Sequence, residues 1–309
     1  MKGSQEREGI FYAGLSYLIW GFFPIYWKWL GHVSAEEILA HRVIWSFVFM
    51  VVLLLCMKKW GHFLSYLKEI SHDYKKLSAL ILASLLVSSN WGIFIWAINA
   101  DRILDTSLGY YINPLISVLL GVIFLKEKLS QAQVLSVALA SIGVLILTIQ
   151  FGKFPTISFL LAITFGLYGL VKKMINADSE IGLTLETMMV TPLAILYFGY
   201  LSLNGQSLFF ETTHTALLLI GGGIATALPL LFFAKGAQKV SLSMLGLLQY
   251  IVPTMTLLLG VFVYHEPFTK THFISFLFIW SGLTIYSLSK SKLSKNTLAK
   301  YKQKGKIGA

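Results

Sequence analysis

One carboxylate, Glu186, and one arginine, Arg42, with His41 beside it, stand inside otherwise apolar runs of this 309-residue chain. An ionisable group in hydrocarbon is costly and normally faces a partner or a polar pathway. His41 and Arg42 lie four to five residues from one end of their run, whereas Glu186 lies six from the opposite end of its own. At about 1.5 Å per residue these depths differ by roughly 15 Å, which favours two polar stations along a cavity over a static ion pair. Glu186 then reads as a site for a proton or a substrate amine. A second group, Asn90, Asn113, Gln249 and Tyr250 with Trp91 and Tyr111, sits near proline-bearing turns. Amides and phenols orient a polar solute, and aromatic faces hold its apolar or cationic part. The same side chains serve equally well as interhelical hydrogen bonds and packing.

The elements that position these residues follow from composition. Apolar residues make up 56% of the chain and charged residues 13%, with a mean hydropathy of +0.72, about half the charge of a soluble domain. Ten runs of mostly apolar residues are bounded by charge or turn chemistry: 10–27, 38–57, 79–99, 106–125, 130–150, 155–171, 181–202, 215–234, 241–263 and 271–289. Each spans roughly 25–34 Å as a helix, matching a hydrocarbon core of about 30 Å. They lack the alternation of barrel strands, and helices satisfy every backbone group internally. The sequence therefore predicts an all-α integral membrane protein with ten transmembrane helices. The first run has no small-residue cleavage site and reads as a retained helix.

Lysine and arginine set the orientation. The N-terminus, the even-numbered loops and the tail carry twenty, while the odd-numbered loops carry only Lys28, Arg102, Lys153 and Lys270. Both termini are expected in the cytoplasm. Most of the net charge of +11 is thus a topological signal, and nucleic acid is not expected as a partner. The tail from Lys290 to Lys306 holds seven lysines and no acid, which suits anionic lipid at about 1 kcal/mol per lysine. The segment 58–76 mixes Trp60, Phe63, Tyr66 and Leu67 with lysines and reads as an interfacial amphipathic helix.

The chain also repeats itself. Shifted by 139 residues, Tyr111-Ile112-Asn113-Pro114 falls on Tyr250-Ile251-Val252-Pro253, Gly121 on Gly260, Glu127 on Glu266 and Gly143 on Gly282. Shifted by 145, Trp20-Gly21 falls on Phe165-Gly166, Lys28 on Lys173 and His41 on Glu186. One membrane domain would then hold a first five-helix repeat at 10–150, a second at 155–289 and a basic cytoplasmic tail at 290–309. Five is odd, so the two copies enter the membrane in opposite senses and form an inverted repeat. Such symmetry suits alternating access around a midplane site. Pro114 and Pro253 occupy equivalent places inside apolar runs and are the expected hinges, since each proline leaves an upstream carbonyl without its donor.

Four segments carry a family resemblance: Ala35-Glu36-Glu37-Ile38-Leu39-Ala40-His41-Arg42-Val43-Ile44-Trp45-Ser46, Ser89-Asn90-Trp91-Gly92-Ile93-Phe94-Ile95-Trp96-Ala97, Leu108-Gly109-Tyr110-Tyr111-Ile112-Asn113-Pro114-Leu115 and Leu245-Gly246-Leu247-Leu248-Gln249-Tyr250-Ile251-Val252-Pro253-Thr254. Together they resemble RarD-type proteins of the EamA family in the drug/metabolite transporter superfamily, over about residues 9–289. The resemblance implies two inverted five-helix repeats, a plasma-membrane location and transport of small metabolites or drugs, often outward. By motif it puts His41, Arg42, Asn90, Trp91, Tyr111, Asn113, Gln249 and Tyr250 on or near a central cavity.

The expected activity is secondary transport by alternating access, with proton coupling through Glu186 and a homodimer both compatible with the residues. An ATP-driven pump lacks its phosphate loop, Gly-x-x-x-x-Gly-Lys-Ser/Thr. A membrane enzyme would need clustered acids, metal ligands or an activated nucleophile. With 14 acids and one cysteine in the chain, no catalytic residue, metal or cofactor is expected. The competing reading is a membrane receptor or regulatory protein that binds a small ligand without moving it.

Overall fold

The computed structural model describes residues 2–290 except 101, 151, 153, 176, 266 and 267. The tail beyond 290 ascribed to lipid contact, and Glu266, the repeat partner of Glu127, lie outside the described residues. Among these residues there are twelve helices and no strand: α1 (Lys2–Trp29), α2 (Ala35–Cys56), α3 (Trp60–His72), α4 (Tyr74–Asn99), α5 (Ile103–Phe124), α6 (Gln131–Gln150), α7 (Thr156–Met174), α8 (Ser179–Leu203), α9 (Thr213–Lys239), α10 (Leu242–Leu248), α11 (Ile251–Phe262) and α12 (Lys270–Lys290). Ten segments are long and apolar enough to cross a bilayer, the ninth being α10 and α11 together.

Helix ends follow capping chemistry rather than hydropathy, and this corrects one expectation. Ser34 accepts from the Glu37 amide at the start of α2, and Thr212 and Ser241 cap α9 and α10 in the same way. Acids in a first turn are favoured by the helix dipole. The spans Ala35–Cys56 and Ser179–Leu203 therefore take in Glu37 and Glu180, both buried, so Glu186 is not the sole carboxylate inside a span. At its other end α7 extends past Val171 to include Lys172. The box opening α6 is reciprocal: Ser130 N–H donates to Gln133 Oε1 at 2.8 Å, and Gln133 N–H to Ser130 Oγ at 3.4 Å.

The chain divides into two compact units, each drawn from both halves of the sequence: residues 1–121 with 156–265, and residues 122–155 with 266–309. In the first, α9 packs on α1 and α2 through small residues. Gly236 lies against Ala13 and Gly223 against Trp45 and Ser46, so closely that a side chain at Gly223 would meet the Trp45 backbone at 2.4 Å. Ser46 Oγ donates to the Gly223 carbonyl at 2.9 Å and Ser16 Oγ to that of Pro229 at 2.8 Å. The short α3 is amphipathic as expected, and its Phe63, Tyr66 and Ile70 pack with Leu54, Leu80, Ile181 and Leu185.

In the second unit α6 and α12 pair antiparallel. A Cβ on Gly143 would meet the Ser275 carbonyl at 2.6 Å, and one on Gly282 would meet the Ser136 carbonyl at 2.6 Å. Gly143 and Gly282 are related by the 139-residue shift, and so are Ser136 and Ser275, which makes the two contacts reciprocal. The first unit holds a similar pair: Gly21 packs on Met255, while its counterpart Gly166 packs on Ile116, the counterpart of Met255. Lys126 and His265, also 139 apart, share a left-handed backbone at φ 54°, a conformation costing about 1–2 kcal/mol for a non-glycine residue.

The equivalent prolines behave differently. α5 runs unbroken through Pro114, whereas the ninth span is interrupted at Gln249 and Tyr250. Pro253 brings no N–H to the Gln249 carbonyl four residues back, and its ring crowds that carbonyl. Gly246 in α10 lets this segment lie directly on α5, where a Cβ would meet the Pro114 carbonyl at 2.7 Å.

Candidate functional site

A cavity of about 380 Å³ opens within the first unit. α1 brings Trp20, Phe23, Pro24 and Trp27, α2 brings Arg42, α4 brings Asn90, Trp91 and Phe94, and α5 brings Tyr110 and Asn113. α7 adds Phe165, α9 adds Thr226 and Leu230, and the interrupted span adds Gln249, Val252 and Thr256. Of the nine side chains singled out from sequence, the cavity gathers Arg42, Asn90, Trp91, Asn113 and Gln249. Its walls are apolar and largely aromatic, with a few convergent polar groups, which is the make-up of a small-molecule site.

Among the described residues Arg42 is the one charged side chain on this wall. Its Nε donates to Thr226 Oγ1 at 2.9 Å, and Thr226 in turn donates to the Gly222 carbonyl. The guanidinium lies over two rings, 4.8 Å from the Trp27 centroid and 5.3 Å from the Trp91 centroid. Such cation–π contacts hold a charge where water is scarce. Asn90 is fixed by donating to the Leu161 carbonyl and Thr164 Oγ1, both at 2.9 Å, and Asn113 Oδ1 accepts from Ser117 Oγ at 3.3 Å.

His41, Tyr111, Glu186 and Tyr250 are not on the wall. Adjacent helix residues point about 100° apart, so His41 leaves Arg42 and packs on Phe209 and Phe198, both rings at 4.6 Å. Its Nδ1 accepts from Trp45 Nε1 at 3.3 Å. Tyr250, fully buried, donates through its hydroxyl to the Tyr111 carbonyl at 3.2 Å, joining two residues related by the repeat. Glu186 is 2% exposed and accepts from Lys172 Nζ at 2.8 Å and Tyr168 Oη at 3.0 Å. It borders a separate cleft of about 10 Å³, which has room for one water.

Two other functional groups escaped a reading by apolar run. Glu37 accepts from Ser207 Oγ at 2.6 Å and from the Leu208 and Phe209 amides at 2.9 and 3.3 Å, which ties the α8–α9 loop to α2. Lys172, buried at the end of α7, supplies the partner of Glu186. The capping serine before Glu37 and the 14-residue spacing of Lys172 and Glu186 across one tight hairpin were the available signals.

Beneath the cavity floor formed by Trp20 and Phe165, which meet edge to face at 5.8 Å, lie Tyr17, Tyr168 and Phe233. Beyond these rings lies a layer of ion pairs. Glu180 binds Lys235 at 2.8 Å and Lys59 at 3.6 Å, Asp178 binds Lys59 at 3.2 Å, and Lys239 binds Glu8 at 2.5 Å. Lys173 donates to the carbonyls of Ala237 and Val240 at the end of α9. The lining residues run from mid-span toward the ends of the helices away from this layer.

The profile of the EamA-like transporter family matches the chain twice, at residues 7–149 and 156–288. The chain is 48% identical to "Uncharacterized transporter YojE" of Bacillus subtilis, over 94% of this chain and 97% of that protein. It is 41% identical to "Protein RarD" of Escherichia coli, over 96% and 99% of the two chains. A solved structure described as "Crystal structure of protein" superposes with a TM-score of 0.69 over 91% of this chain and 97% of the other, at 15% identity, a likeness of fold alone. The names point to a transporter rather than an enzyme. With ten apolar spans and these relatives, the chain belongs to the EamA-like transporter family, as a multi-pass membrane transporter of the drug/metabolite superfamily related to RarD.

Proposed function

We propose that this protein is a secondary carrier of small metabolites or drugs that exports its solute across the plasma membrane by alternating access around the Arg42 cavity, with both termini in the cytoplasm. The observation that carries the reading is the cavity itself. It is a ligand-sized space among the spans of the first unit, backed on one side by five aromatic rings and a layer of ion pairs. A space of this kind suits a solute that waits at mid-membrane while one end is closed. The layer lies at the end that carries the basic loops, so the positive-inside rule makes it the cytoplasmic gate. The matching contacts of Gly21 on Met255 and Gly166 on Ile116, and of Gly143 on Ser275 and Gly282 on Ser136, support an inverted repeat, in which exchange of conformations between halves moves the opening from one face to the other. The interruption at Gln249 and Tyr250 breaks the ninth span beside the cavity, and Pro253 just after it supports a hinge at this level.

Glu186 is the proton site in this reading. Protonation would cancel the charge that holds Lys172, loosening the gate between α7 and α8. The test is flux in proteoliposomes loaded with a pooled metabolite extract under an imposed pH gradient, with the solutes that cross identified by mass spectrometry. Selective, gradient-sensitive movement is expected, with the gradient dependence lost in Glu186→Gln. A gradient dependence that survives in that variant removes the proton role from Glu186. Saturable binding with no movement in folded protein would replace the carrier by a receptor.

A further inference from the structure

The chemistry of the cavity wall goes beyond transport in general and selects among solutes. Among the described residues lining it, Arg42 is the sole charged group and no carboxylate is present. No carboxylate among the described residues comes within ion-pair distance of Arg42. Its one protein hydrogen bond uses Nε, directed at Thr226, so the two terminal nitrogens have no protein acceptor and remain at the cavity surface. A guanidinium held in this way presents its end-on fork, the edge that matches both oxygens of a carboxylate. Trp27 and Trp91 each lie within cation–π distance of the guanidinium and limit where the fork can move. A positive charge in an apolar wall without a counter-ion is poorly solvated, and an incoming anion relieves that state, whereas an amine meets like charge. Away from Arg42 the wall includes the rings of Trp20, Phe23, Phe94 and Phe165 with aliphatic residues among them, which accommodates an apolar body. The amides of Asn113 and Gln249 add polar capacity without charge.

From this arrangement we infer that the carrier's solute is an organic monoanion, an aromatic or otherwise apolar body bearing one carboxylate-like group that docks on the Arg42 fork. The inference rests on the carrier reading and names its substrate class. It excludes organic cations from this site, and it disfavours amino-acid zwitterions, because the wall offers an ammonium group no carboxylate.

The experiment uses the purified full-length protein in detergent at pH 7.5 and follows tryptophan fluorescence, since two indoles lie close to Arg42. Four probes of the same shape are titrated: 3-phenylpropionate, its neutral amide, 3-phenylpropylamine and phenylalanine. The anion is expected to bind saturably and at least about tenfold more tightly than the others, the scale of a charge-assisted hydrogen-bond pair. Arg42→Gln should lower anion affinity by about 10- to 100-fold and leave the amide within about threefold, with Arg42→Lys recovering part of the loss. Equal binding of amine or amide in the wild type overturns the inference without recourse to any variant. So does an anion preference that survives in Arg42→Gln, or failure of the anion to bind a protein that unfolds cooperatively. Flux of the same probes in proteoliposomes, measured against protein-free vesicles, separates the two claims. Anion binding without flux overturns the carrier and keeps the anion site, whereas flux without anion preference keeps the carrier and overturns the anion site.

Discussion

The pair formed by Lys172 and Glu186 makes a quantitative prediction about the gate. Both groups are at least 95% buried and lie 2.8 Å apart, and Tyr168 donates a second hydrogen bond to the carboxylate. At an effective dielectric of about 20 their direct attraction is about 6 kcal/mol, and it is opposed by several kcal/mol of desolvation for each ion. Lys172→Met removes the attraction but keeps Glu186 out of water, so it should destabilise the protein by about 3–5 kcal/mol. Lys172→Met combined with Glu186→Gln removes both charges and should return to within about 1 kcal/mol of the wild type, because a neutral pair of similar volume needs no compensation. On a chain of this size the single change corresponds to a fall of about 6–10 °C in the apparent midpoint, at about 2 °C per kcal/mol. The assay is thermal unfolding in one detergent at one scan rate for the wild type, both single variants and the double variant. Recovery in the double variant is the required sign of coupling. If the two losses simply add, or if Lys172→Met unfolds with the wild type, the pair does not hold the gate and its place in the mechanism fails.

Three further outcomes follow from the packing. Gly143→Ala and Gly282→Ala each put a methyl within 2.6 Å of a backbone carbonyl of the opposing helix; each should destabilise the α6–α12 pair by about 1–3 kcal/mol, and by similar amounts because the contacts are reciprocal, as read by thermal unfolding. Glu37→Ala leaves the Leu208 amide without its acceptor and the Phe209 amide with Ser207 Oγ alone, which should cost about 1–3 kcal/mol and speed limited proteolysis in the α8–α9 loop. Pro253→Ala adds the N–H that a continuous helix would direct at the Gln249 carbonyl, which now accepts from the Val252 amide at 3.0 Å, and should extend the helix through the break; slower turnover is expected than for Pro114→Ala, whose helix is already continuous, and equal turnover would argue against a hinge at Gln249.

The ten spans could be read from the chain because a backbone in hydrocarbon must bond to itself, so each length of about 20 apolar residues has one available form. The 139-residue shift was equally legible, since it aligns tyrosine, proline and glycine at one spacing, and it is this register that relates Gly143 to Gly282 and Tyr111 to Tyr250. Pro253 and Pro114 show where such reading stops. Both prolines remove the same backbone donor, yet one helix is interrupted and the other is not. The outcome depends on how neighbouring helices support the chain, which local sequence does not state.

The site divides along the same line. Composition and the position of Arg42, Asn90, Trp91, Asn113 and Gln249 within apolar runs marked them as polar groups needing a partner or a cavity, because hydrocarbon solvates none of them. Which partner each one found was a tertiary decision. Arg42 turns to Thr226 and two indoles, His41 one residue earlier turns to Phe209, and Glu186 turns to a lysine that hydropathy had placed outside the membrane. By itself the sequence determined the ten spans and the residues too polar to face lipid, since those follow from the solvent and the covalent chain. Only the tertiary structure decided that Arg42 faces open space while Glu186 is neutralised, because pairing depends on which helices are neighbours and on which side of each helix a residue falls.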